Sequence, residues 1–265
     1  MNKKTTLVKE DINRGRFELI KESPSGHGVY VEKSLIERRY LNLAIYRYMQ
    51  LPHLLNLLSS PHEFYVANRQ SFSDLRDKMA IVKKMEEIKN VYSEAESWKN
   101  RRYLREKKEK IRKAWQQCIS CWCLDIRNSG IADENYLMWK AYTSNQISVR
   151  VGSTILHFIE SIIEIPYDIF IAKVDYKNKY TGDIYDVIFK KHEYYEDEQE
   201  LRMLVLSDEE KGVHIPIDIN ILIDEIRVSP FLSPNMERFI INQLGEQEPS
   251  LKKKILPSLI MEYIK

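Results

Sequence analysis

Glycine and proline are scarce, 8 and 9 among 265 residues, which argues against a disordered or low-complexity chain. Cysteine is scarcer: Cys118, Cys121 and Cys123 are the only three, within six positions. Thiols so crowded cannot form a disulfide framework, so a reducing cytoplasm is expected. Nor do they supply the paired, converging spacing of zinc ligands; their expected role is as small core hydrophobes, and no metal is expected. No apolar run approaches the roughly 18 residues that cross a bilayer. The opening Met1-Asn2-Lys3-Lys4-Thr5 lacks the apolar stretch of a signal peptide. No membrane partner is expected. A surplus of one charge is lacking too: 41 Lys and Arg stand against 39 Asp and Glu, for a net +2.

What is present is a globular composition, 43% hydrophobic and 30% charged, in a chain long enough for one sizeable domain, or a domain with additions. The charge is unevenly spread. From Lys99 to Lys113 nine Lys and Arg face Glu106 and Glu109, a local balance of about +7; from Glu193 to Glu210 eight Asp and Glu face Arg202, about −7. The basic run has two readings. It is a solvated helix face, or it binds nucleic acid or another partner through Arg101, Arg102, Arg105 and Lys108.

Along the chain, Arg16–Ile20 and Gly28–Val31 flank a Ser-Pro-Ser-Gly turn and read as a hairpin. We expect it to decorate the domain as an extension over residues 1–40, with the main domain at 41–265. Ala44–Tyr48 is an apolar strand holding Arg47, and a buried strand seldom keeps an arginine without an anionic partner. That partner is Glu198 or Glu200 in a salt bridge, or a ligand phosphate or carboxylate that the guanidinium fork clamps. A helix at 52–58 and a strand at 64–68 follow. From about 74 to 117 the pattern is helical, with Ile81, Met85, Ile88, Tyr92 and Ala95 forming an apolar stripe. We expect this insertion to project as a polar arm beyond Trp98.

Residues 117–124 read as a strand, with Cys121 and Cys123 on one face and Cys118 and Ser120 on the other. Residues 134–142 form a short helix placing Trp139 and Tyr142 on one side, as core or as a ligand platform. Strands are expected at 148–154, 169–176, 215–217 and 225–228. Ser233-Pro234 opens a helix to about residue 244, and the tail at 255–260 returns as an edge strand or packing segment. The fold class is α+β, one mixed domain around a central, largely antiparallel sheet.

The stretch from Lys190 to Leu206 carries the sharpest chemical signal. Read as a strand, it sets Glu198, Glu200, Arg202, Leu204 and Leu206 on one face and Gln199, Leu201, Met203 and Val205 on the other. Beyond Met203 both faces are apolar, as in a core strand. Two carboxylates and a guanidinium at the mouth of such a strand are paired, functional, or both.

Several pieces occur together in a known order: Ile45-Tyr46-Arg47-Tyr48, Phe72-Ser73-Asp74, Ser120-Cys121-Trp122-Cys123, Leu137-Met138-Trp139-Lys140-Ala141-Tyr142, Ser148-Val149-Arg150-Val151, Glu198-Gln199-Glu200-Leu201-Arg202 and Ile226-Arg227-Val228-Ser229-Pro230. Over about residues 40–245 the chain resembles the bacterial and phage family called domain of unknown function 2971, whose activity is not established. It departs from that family at Ser73-Asp74-Leu75 and in lacking a glycine soon after Tyr142. It is also similar, more weakly, to ADP-ribosyltransferases: an early arginine strand, a Ser-Thr strand and a late Glu-x-Glu strand. That likeness implies NAD as substrate. It implies that Arg47, Tyr46 and Ser153 bind the cofactor and that Trp139 or Tyr142 stacks on nicotinamide. Glu200 would stabilise the ribosyl cation, Glu198 would position an acceptor, and Arg202 would support both. The competing reading of the same residues is a structural network of Arg47, Glu198, Glu200 and Arg202 in a non-catalytic module.

Overall fold

The computed structural model describes residues 9–71, 98–125, 134–142, 147–176 and 184–260, without the side chains of 98–100. The stripe at 81–95, the loop at 128–130 and the turn at 180–182 lie outside the described residues. The strands are β1 (Phe17–Glu22), β2 (Gly28–Glu32), β3 (Ala44–Gln50), β4 (Glu63–Ala67), β5 (Cys118–Leu124), β6 (Ser148–Thr154), β7 (Ile169–Lys173), β8 (Glu200–Val205), β9 (Gly212–Pro216), β10 (Glu225–Val228) and β11 (Ile255–Leu256). The helices are α1 (Arg38–Leu41), α2 (Leu51–Leu58), α3 (Trp98–Trp115), α4 (Tyr136–Tyr142), α5 (Ile155–Ser161), α6 (Ile184–Phe189), α7 (Ile219–Leu222) and α8 (Pro234–Gln247). Among the described residues no helix is long and apolar enough to cross a membrane.

Nine strands form one sheet in the order β1-β2-β7-β8-β5-β3-β6-β10-β11, and β4 and β9 pair separately. The class is α+β, and the sheet is mixed. β2–β7 and β10–β11 run parallel, while the other neighbours run antiparallel. The parallel pairs arise because chain segments far apart in sequence close the two flanks, where no tight hairpin dictates direction. The N-terminal hairpin is therefore no ornament: β2 hydrogen-bonds β7, pairing Val29 with Ile169 and Val31 with Ile171.

Side-chain alternation divides the sheet into two faces. On the back lie Val29, Val31, Ile45, Met49, Trp122, Val149, Val151, Ile171 and Met203, covered by α2, α5, α7 and the β4–β9 ribbon in the largest buried cluster. The front is covered in two patches. Ile111 and Ala114 of α3, with Ile184, Ile188 and Phe189 of α6, pack over Ile119, Phe170 and Leu204. Met138 and Trp139 of α4 pack over Tyr46 and Tyr48. The C-terminal half of α3 is thus held to the sheet rather than projecting. Between the two front patches lie the charged residues of β8, Glu200 and Arg202, both buried.

Candidate functional site

The site begins with the way β8 is entered. Residues Glu193–Glu198 form a 3-10 turn, and Gln199 closes it in the left-handed region at φ +42° and ψ +52°. Glu198 is therefore not a strand residue, because one left-handed residue resets the alternation that a continuous strand would impose. Its carboxylate still turns to the front, where Lys191 Nζ donates to Glu198 Oε2 at 2.7 Å and lies 3.6 Å from Glu200 Oε2. Arg202, two residues along the same face, holds Glu200 with both arms of its fork: Nε to Oε1 at 2.7 Å and Nη2 to Oε2 at 3.1 Å. Its third nitrogen, Nη1, donates to the Ile188 carbonyl on α6. The Glu200 backbone N–H donates to the Tyr176 hydroxyl at 2.9 Å.

Electrostatics separate the two carboxylates. Burial alone would raise the pKa of Glu200, but Arg202 and Lys191, with the fork's hydrogen bonds and the Cys121 thiol, hold it at about 2. For Glu198 burial prevails, helped by the charge of Glu200, and its pKa is raised despite Lys191. Lys191 is disfavoured as a cation by burial, yet the two carboxylates hold its pKa above the usual lysine value. Burial pushes the Cys121 and Cys123 thiols far up, so both stay protonated.

Beside this network opens a cavity of about 590 Å³, walled by Asp125, Glu134, Asp197 and Glu198 and by the tyrosines Tyr46, Tyr48 and Tyr136. A narrow extension leads to Tyr142, Cys121 and Glu200. Among the described residues no lysine or arginine lines either part. The cations stand one layer behind and are engaged. Arg150 pairs with Glu225 and stacks over the Tyr46 ring at 4.1 Å. Arg227 pairs with Glu225 at 3.1 Å and donates to the Pro257 carbonyl. Glu134 anchors the helical wall, accepting from Trp139 Nε1 at 2.9 Å, the Ser258 hydroxyl at 2.6 Å and the Leu259 N–H at 2.6 Å.

The structure therefore unites Tyr46, Tyr142, Glu198, Glu200 and Arg202, and separates three other expected members. Arg47 faces the back, half-buried, donating to the Ser120 hydroxyl at 2.8 Å and lying 5.0 Å from the centre of the Phe64 ring. No carboxylate pairs with it among the described residues, so the expected bridge to Glu198 or Glu200 is not formed. The register explains this, because Tyr46 lies opposite Cys123 and Arg47 opposite Val151. Ser153, opposite Ile45, also faces the back, and its hydroxyl donates to the Thr154 carbonyl. Thr154 caps α5, accepting from the His157 N–H. Trp139 is fully buried against Tyr48 and offers no ring face to a ligand.

Lys191, Tyr48, Asp125 and Glu134 belong to the site without having stood out in the sequence. Arg150 and Arg227 bear the mark that drew attention to Arg47, an arginine inside an apolar strand. Among the described residues no group of three or more His, Cys, Asp or Glu side chains converges as a metal site. Fold and site together define an α+β protein with an acidic, tyrosine-walled pocket on one face of its sheet. No family model matches the chain, and no curated protein or solved structure does.

Proposed function

We propose that the pocket binds a cationic ligand, a guanidinium or ammonium group on a small molecule or on a basic side chain. The observation that supports this is the charge of the wall: Asp125, Asp197 and Glu198 beside three tyrosines, with Arg150 and Arg227 sharing the Glu225 carboxylate behind them and Lys191 bonded to one oxygen of Glu198. Tyrosine faces attract cations within about 6 Å, and a carboxylate gives the directed, charge-assisted hydrogen bond. Glu198 is the group that meets the ligand. Its pKa is raised, so it is ionised only above that shifted value, and affinity is lost as pH falls through it. Thermal shift and calorimetry with agmatine, arginine and spermidine test the reading, with Glu198→Gln as the variant. A pH-dependent stabilisation of the wild type that Glu198→Gln loses is expected. A protein that ignores all three cations would sink it.

A second reading rests on the split between the two carboxylates. One raised and one lowered pKa on neighbouring groups is the division that glycosidic-bond cleavage uses between a proton carrier and a charge stabiliser. The likeness to ADP-ribosyltransferases supplies NAD as the substrate to test. Glu200 then stabilises the ribosyl cation, Tyr142 lines its approach, and Glu198 holds an acceptor guanidinium. Arg47 and Ser153, on the far face, take no part. Nicotinamide release from NAD, lost in Glu200→Gln with the fold retained, supports transfer; cation binding without any release leaves a binding module.

A further inference from the structure

Helix α3 lies apart from the pocket wall, and its surface orders charge in a way that the composition conceals. Arg101, Arg105, Lys108 and Arg112 stand at i, i+4, i+7 and i+11 and are all exposed. On a helix of 3.6 residues per turn they fall within a sector of about 60° and extend about 16 Å along the axis. Among the described residues of the helix no carboxylate falls within that sector. The only acids of the helix, Glu106 and Glu109, fall on the adjoining sector, where Glu106 pairs with Arg102 at 3.0 Å and Glu109 with Arg112 at 2.7 Å. Those pairs are solvent-exposed and weak, so a stronger anion displaces them. Among the described residues neither Arg105 nor Lys108 pairs with a carboxylate.

The apolar face of the helix's C-terminal half is engaged. Ile111 and Ala114 are buried in the front cluster with Ile12 and Ile188, and Lys110 pairs with Asp11 at 2.6 Å. An amphipathic membrane helix needs a free apolar face to insert, and here the apolar residues Ile111 and Ala114 are packed inside the fold. The geometry points to a rigid, linear surface for the phosphate backbone of nucleic acid. Three of its four charges are guanidiniums, whose forks match phosphate oxygens, and their spacing of one charge per turn follows a strand of regularly placed phosphates. Backbone contacts of this kind carry no sequence information, so binding is independent of sequence. The inference does not depend on what the pocket holds.

The test is fluorescence anisotropy with a labelled mixed-sequence 20-base-pair DNA duplex across a salt series. The proteins are the wild type, the triple variant Arg105→Gln/Lys108→Gln/Arg112→Gln, and the control Lys252→Gln/Lys253→Gln on an exposed segment elsewhere. Four phosphate contacts predict that wild-type affinity falls about a hundredfold between 50 and 200 mM salt, and that the triple variant's slope drops from about −4 to about −1. Melting curves establish that all three remain folded. No wild-type binding at 50 mM salt overturns the inference, as does a triple variant that binds like the wild type or a control that loses as much. Retention by phosphatidylserine vesicles in place of the duplex also overturns it.

Discussion

Opposing effects meet on the carboxylate of Glu200, and their balance gives its acid sensitivity a sign. Burial disfavours its charge, while Arg202 and Lys191 favour it strongly enough to bring the pKa from 4.5 to about 2. Since the folded pKa lies below the unfolded one, the ionised group contributes stability above about pH 4.5, and that contribution is lost as pH falls toward 2. The shift corresponds to an effect of order 3 kcal/mol. Glu198, raised on folding, acts with the opposite sign. Glu200→Gln takes from buried Arg202 the carboxylate that holds both arms of its fork and leaves Lys191 with Glu198 alone, which costs about 3–5 kcal/mol at neutral pH. Urea unfolding across the pH range should show that loss in full at pH 7 and a shrinking gap to the wild type below pH 4. A gap that stays constant with pH would mean the carboxylate charge is not what holds the network. At this scale the sequence marks buried ions but not their facing. Arg47, Arg150 and Arg227 all interrupt apolar strands, and only the register of β3 against β5 and β6 sends the first to the back and Arg150 to the front.

The turn into β8 shows where a strand pattern stops being readable. Residues 200–205 form the expected core strand, buried on both faces, because an unbroken apolar run bounded by polar residues leaves few alternatives. The pattern reads through Glu198 as though the strand began there. It cannot register that Gln199 adopts φ +42°, with its N–H and its side-chain amide both returning to the Glu196 carbonyl. A non-glycine residue in that region costs about 1–2 kcal/mol, and a β-branched one is hindered further. Gln199→Val should therefore lower stability by roughly 1–2 kcal/mol and pull Glu198 away from Lys191. Gln199→Gly should be tolerated, since glycine takes positive φ freely. Thermal melting of the pair is the check. Equal melting points for the two would mean the turn is soft and does not itself place Glu198. The short helix α4 was legible for a similar reason to β8, through its Trp139–Tyr142 spacing. Its role as a pocket wall was not, because the partners of Glu134 are Ser258 and Leu259, far along the chain.

Across the whole molecule, what the sequence conceals is which strands become neighbours. Each was recognisable locally, but β2 beside β7 joins residues 28–32 to 169–173, and non-local pairing leaves no mark on either segment alone. The hairpin consequently looks detachable in the sequence and is integral in the fold. Val29 and Val31 are fully buried in the back core, and each contributes about 1.5–3 kcal/mol by burial. Their loss alone removes about 3–6 kcal/mol from a net stability of roughly 5–15. Deleting residues 1–32 would also uncover the β7 edge, a row of unpaired backbone groups ready to recruit another chain. We therefore expect the deleted protein to lose cooperative melting and to elute as aggregates in size-exclusion chromatography, and its pocket to fail with it, since β7 supports β8 along its full length. A deleted protein that melts like the full chain and stays monodisperse would make the hairpin an appendage after all, with the sheet stable from β7 onward.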